Sequence, residues 1–130
     1  MTYYEKLEQL TVDFARDIEI ARNVESSNPE DDLAIKAAIV GFSYNSPTSD
    51  WAKGHYDFVN NRLEASYSRE QLDDYGENGE NVRLFFALAI GFLLGMYHQE
   101  RISNDQFTEG EQQIPGLIML HLPRLTEQPA

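Results

Sequence analysis

Leu84-Phe85-Phe86-Ala87-Leu88-Ala89-Ile90-Gly91-Phe92-Leu93-Leu94-Gly95-Met96-Tyr97 is a run of fourteen residues without a charge or a strongly polar group. Wound as a helix it is about 21 Å long, short of the about 30 Å hydrocarbon slab of a bilayer. Arg83 stands before it, and His98, Gln99, Glu100 and Arg101 follow. A helix apolar on every side, yet too short to span, belongs in the middle of a bundle with other helices wrapped around it. The sequence therefore predicts a buried central helix over about residues 81–101 and no membrane segment. Gly91 and Gly95 stand four apart within it. In a membrane that spacing suggests dimerisation. In a soluble bundle it marks one close crossing where no side chain fits, and that is the reading preferred here. A homodimer sharing this helix stays open.

The flanking sequence supplies helices to do the wrapping. Tyr3, Leu7, Leu10, Phe14, Ile18 and Ala21 recur at three- and four-residue spacings, which predicts one amphipathic helix over 3–22. Asn28-Pro29-Glu30-Asp31-Asp32 reads as a helix start, with a cap, a first-turn proline and three acids at the positive end of the helix. That helix runs through Val40 and is expected to end at Gly41. Tyr44 to Asp50 reads as a loop, after which Ser49 can cap a helix carrying Trp51, His55, Phe58, Val59, Arg62 and Leu63. Ser68-Arg69-Glu70-Gln71 matches a capping box for a short helix to about Tyr75, and Gly76-Glu77-Asn78-Gly79 then breaks the chain. Beyond the central helix, Ser103-Asn104-Asp105-Gln106 starts a short helix to about Gly110, and Pro115–Leu122 is a short closing element, a helix with Pro115 in its first turn or a lone strand, with helix preferred because no partner strand is evident. Residues 124–130 read as a flexible tail. The expected architecture is all-α: one compact domain over 1–130, a helical bundle of five or six helices around the apolar one.

Charge sets the function classes. The chain has 22 Asp and Glu against 10 Lys and Arg, a formal net charge of −12. Residues 1–80 carry −10 of this and residues 81–130 only −2. Such a surface repels nucleic acid and anionic membranes and attracts basic proteins, most strongly at low salt. A hydrophobic fraction of 42% is too high for a disordered acidic chain. There is no cysteine, which rules out disulfides, thiolate metal sites and cysteine nucleophiles. Glu5 and Glu8 interrupt the N-terminus, so no signal peptide is read there and a cytoplasmic location is expected.

No catalytic or metal-binding motif is legible in the sequence. His55, His98 and His121 sit on different elements without ligand spacing. The acidic loop Asp73 to Asn81 fails as an EF-hand, because fixing Gly79 at the invariant glycine puts Gly76 where the second ligand should be. Ser43 lacks the second glycine of a nucleophile elbow, and no phosphate-cradling or dinucleotide-binding loop is present. No enzyme, no cofactor, no metal and no direct nucleic-acid binding are expected.

What remains is a surface. Acids gather in two knots, one at Glu25, Glu30, Asp31 and Asp32 and one at Glu70, Asp73, Asp74, Glu77 and Glu80. Asp13 and Asp17 add further helical acids. Tyr44, Trp51, Tyr56, Tyr67 and Tyr75 cluster around the loops that flank the third helix, and such aromatics commonly anchor interfaces. The sequence thus points to a non-enzymatic acidic inhibitor that neutralises a basic, nucleic-acid-handling or toxin partner. Its carboxylates would imitate phosphates and occlude the partner's positively charged groove, as an immunity protein or a phage or plasmid inhibitor would. The expected contact residues are Glu30, Asp31, Asp32, Tyr44, Trp51, Glu70, Asp73, Asp74, Tyr75, Glu77 and Glu80. The competing expectation is an assembly subunit or secretion-type chaperone acting as a helical homodimer.

Overall fold

The computed structural model describes residues 2–24, 32–44 and 56–127, the side chains of Asp32 and Tyr56 excepted. Seven α-helices and a closing 3₁₀ turn account for them, with no strand among the described residues. In chain order these are α1 (Tyr3–Val12), α2 (Phe14–Arg22), α3 (Asp32–Ser43), α4 (Tyr56–Ser66), α5 (Arg69–Asp74), α6 (Glu77–His98) and α7 (Asn104–His121). The 3₁₀ turn spans Pro123–Thr126. The all-α fold with a buried apolar helix is as the sequence predicts.

The apolar run lies in α6, which packs against every other described element. Residues 84–96 are buried without interruption, and only Tyr97 emerges at the C-terminal end. The close crossing is made with α3. A Cβ on Gly91 would sit 2.2 Å from the Ala38 carbonyl oxygen, and one on Gly41 would sit 1.9 Å from that of Leu88. Gly41 therefore does not end α3, as its position near the end of the apolar pattern suggests. It lies inside a helix that runs on to Ser43, and it is small because α6 passes there.

Three further boundaries differ from the sequence expectation. The 3–22 helix is interrupted at Asp13, whose ψ of 8° leaves the helical range. The Thr11 hydroxyl donates to the Leu7 carbonyl at 2.9 Å, a back-bond that bends helices. The chain break at 76–79 contracts to Gly76 alone, with φ 63° and ψ −132°, a backbone that only glycine adopts freely. Gly79 is already inside α6, pressed against the Leu72 carbonyl of α5. The third difference is that α7 is one helix where two are predicted. It begins with a full capping box, Gln106 N–H donating to Ser103 Oγ at 3.2 Å and Ser103 N–H to Gln106 Oε1 at 2.9 Å. It then runs through Gly110 and Pro115. Gly110 faces the Leu93 side chain, and the apolar face of Phe107, Ile114, Leu117 and Ile118 holds the helix on the core despite the proline. Within the expected tail, Leu125 packs against the core and the Arg124 carbonyl accepts from Asn78 Nδ2 at 2.9 Å.

Candidate functional site

The second acidic knot occupies α5 and the first turn of α6. Ser68 starts α5 by accepting from Gln71 N–H at 3.1 Å, the chain turns at Gly76, and Gly79 lets α6 rest on Leu72. This frame presents Glu70, Asp73, Asp74, Glu77 and Glu80 to solvent, all five exposed. None of them forms an ion pair among the described residues. Glu77 and Glu80 also sit at the positive end of α6, which by itself favours acids there. The edge of this face is mixed. Asp73 and Glu80 share a cleft with Arg69 and Arg83, and Arg83 Nη2 donates to Asn60 Oδ1 at 3.3 Å. Arg69 reaches Glu64 at 3.6 Å.

The aromatic anchors fare differently from one another. Tyr75 is half-buried against the core, and its hydroxyl accepts from Gln71 Nε2 at 3.0 Å, so it serves the α5 turn. That same bond takes the Gln71 side chain that a reciprocal capping box would need. Tyr44 is 45% exposed, but its hydroxyl donates to the Asp17 carboxylate. Glu30, Asp31 and Trp51 lie outside the described residues, as does the side chain of Asp32, so the relation of the first acidic knot to the second lies outside them too.

Asp13 and Asp17 do not join an exposed array. Asp17 is fully buried and Asp13 is partly covered. Their position had a signal: Asp17 follows Leu10 by seven residues and Phe14 by three, which places it on the inward stripe. Asp17 Oδ1 accepts from the Tyr44 hydroxyl and from Arg16 Nη2 at 3.2 Å, while Oδ2 is buried without a partner among the described residues. Asp13 accepts from the same guanidinium at 3.3 Å and from Gln9 Nε2 at 2.9 Å. Burial, then the hydrogen bond and charge of Asp17, push the Tyr44 phenol up to about 12. These groups border a cavity of about 170 Å³ whose other walls include Lys6, Leu10 and Phe92.

A second buried acid, Glu111 on α7, is gripped through both carboxylate oxygens by Arg62 of α4. That fork is a structural clamp between two helices. His121 meets Glu8 at 3.0 Å and the His98 ring lies tilted beside that of Phe42, while His55 lies outside the described residues. Among the described residues no three His, Asp or Glu side chains converge as metal ligands would. No family model, no characterised protein and no solved structure matches this chain.

Proposed function

We propose that this chain is a non-enzymatic, cytoplasmic binding protein that neutralises a basic partner by seating carboxylates in its phosphate-binding groove. The observation that supports this reading is the α5–α6 face, where five exposed carboxylates stand on a fixed turn with no ion pair among the described residues. Elsewhere Arg16, Arg22 and Arg62 are engaged by acids of the chain itself. Five acids within residues 70–80 make a local concentration of negative charge, bordered by Arg69 and Arg83, of the kind that steers a cationic surface into register. Glu70, Asp73, Asp74, Glu77 and Glu80 are the contact residues of this reading. Tyr75 supports their turn instead of anchoring the partner. The reading is of an immunity- or inhibitor-like protein acting by occlusion.

The test is affinity capture at low salt, identification of the bound protein, and titration of that complex with salt. The affinity should fall steeply between 50 and 200 mM salt, as charge-dominated association does. Reversal of Asp73, Asp74 and Glu77 to Lys should weaken it far more than reversal of Glu5 and Asp105, which are exposed elsewhere. A captured partner without a basic groove, or a complex indifferent to salt, refutes the reading.

One observation favours a second reading, an assembly subunit. Met119 and Leu120 of α7 are 70% and 66% exposed, and Gly116 leaves the same end of the helix open. A dimer would use this face, since residues 84–96 are consumed inside the monomer. A Met119→Lys, Leu120→Lys variant that turns a dimer into a monomer in light scattering would establish it.

A further inference from the structure

Asn78-Gly79 is the one Asn-Gly pair in the chain, and it stands in the first turn of α6. With no side chain on Gly79 to hinder it, the Gly79 backbone nitrogen can attack Asn78 Cγ in an unfolded strand. The N–Cγ bond forms, the Cγ–Nδ2 bond breaks, and ammonia leaves with the proton of Gly79. Water then opens the cyclic imide at either carbonyl, its hydroxyl going to carbon and its proton to nitrogen, to give aspartate or isoaspartate. The folded chain holds the reacting atoms apart. In a helix the Cα–Cβ bond tilts toward the N-terminus, away from the following nitrogen. Gly79 is buried, and its N–H donates to the Gly76 carbonyl at 3.0 Å. The leaving amide is tied as well: Asn78 Nδ2 donates at 2.9 Å to the Arg124 carbonyl in the Pro123–Thr126 turn, which Leu125 fastens to the core. Ring closure therefore needs α6 to unwind at its first turn and the Arg124 bond to break, a local opening rather than global unfolding.

We infer that Asn78 is a deamidation site guarded by the docked Pro123–Thr126 turn, and that its conversion releases that turn. The product is unable to remake the bond. An ionised carboxylate at position 78 has no donor and sets a negative oxygen against the Arg124 carbonyl oxygen. Docked turn and converted side chain thus exclude each other. The step also places one more carboxylate between Glu77 and Glu80, on the acidic face. The guard and its release stand whether or not that face receives a basic partner.

The full chain is incubated at neutral pH, and its tryptic peptide Glu70–Arg83 is followed for a mass gain of about 1 Da and for the isoaspartate form. Leu125→Ala loosens the turn and should speed conversion about fivefold, the effect of one hydrogen bond on the opening equilibrium. Removal of the residues after Leu122 should speed it at least as much; if that chain does not fold, Leu125→Ala carries the test. Arg62→Ala loosens the α4–α7 clamp instead and should leave the rate unchanged. Release is read by brief trypsin treatment of the folded protein. The bond after Arg124 should be cut about fivefold faster in Asn78→Asp than in the parent, and less so in Asn78→Ala. Conversion indifferent to Leu125→Ala, equal acceleration by Arg62→Ala, or parental cleavage of Asn78→Asp overturns the inference. Partner capture enters none of these measurements, so their outcome is separate from the fate of the occlusion reading.

Discussion

Gly91→Ala tests the crossing on which the bundle is built. The new methyl would stand 2.2 Å from the Ala38 carbonyl oxygen and 2.9 Å from its carbon, where ordinary contact begins near 3.4 Å. Both obstacles are backbone, so no side chain can rotate away. Relief requires α3 and α6 to part by about 1 Å, and a gap of that size forfeits a quarter to a half of each dispersion contact across it. Overpacking of this kind costs up to about 3 kcal/mol, and alanine's better helix propensity returns about 1 kcal/mol. The net expectation is a loss of about 2 kcal/mol, or roughly 6–10 °C in Tm for a chain of this size. Gly41→Ala, at 1.9 Å from the Leu88 oxygen, should lose more. Gly116→Ala is the internal control, because a Cβ there meets nothing within 4 Å. It should gain up to about 1 kcal/mol from propensity alone. Urea unfolding followed by helical circular dichroism, with slopes unchanged between variants, reads all three. If Gly91→Ala and Gly116→Ala stabilise alike, the helices do not approach as described and the reasoning fails.

Three further outcomes are expected. Arg62→Ala strands Glu111, which is 6% exposed, and should cost about 2–3 kcal/mol, with most of it recovered in Arg62→Ala, Glu111→Leu in a urea double-mutant cycle. Tyr44 and Tyr67 are both raised to about 12, Tyr67 chiefly by burial, so the folded state holds these protons more tightly than the unfolded chain. Their contribution is complete below pH 10 and drains away as pH rises to about 12; urea midpoints across that range should fall, less steeply in Tyr67→Phe and marginally less in Tyr44→Phe, whose ring is far more exposed. Two backbone variants should move in opposite directions in thermal unfolding. Glu100 closes α6 with φ 59°, Arg101 N–H returning to the Met96 carbonyl at 2.9 Å, so Glu100→Gly should gain up to about 1 kcal/mol. Gly76→Ala should lose about 1–3 kcal/mol by forcing a side chain into a glycine conformation.

The central helix was readable because fourteen apolar residues admit few interpretations in a chain this size. The caps at Ser68 and Ser103 were readable for a related reason: capping is a local event, decided within four residues. Gly91 was readable as a close approach, but its counterpart Gly41 was not. A glycine near the end of an apolar pattern signals a stop, and only the arrival of α6 reveals the other use. The same limit explains α7. Gly110 and Pro115 each argue locally for an interruption, and the packing of Phe107, Ile114 and Ile118 outweighs both. Of the site, the exposure of Glu70 to Glu80 followed from charge alone. For Asp17 charge and register disagree: the charge argues for solvent, and the spacing from Leu10 and Phe14 points it inward. Glu111 had the same inward register after Phe107, hidden by the expectation that the helix had ended.

The wrapping of α6 by elements from both sides of the sequence has a consequence for biosynthesis. Its greasy surface emerges from the ribosome ahead of α7 and the Pro123–Thr126 turn, so α1 to α5 can shelter only part of it at that moment. Every nascent chain passes through an interval in which Leu93 and its neighbours are uncovered and prone to clump. Slower emergence of the segment after Arg101 would lengthen that interval, and expression yield would register it before any change in the finished fold.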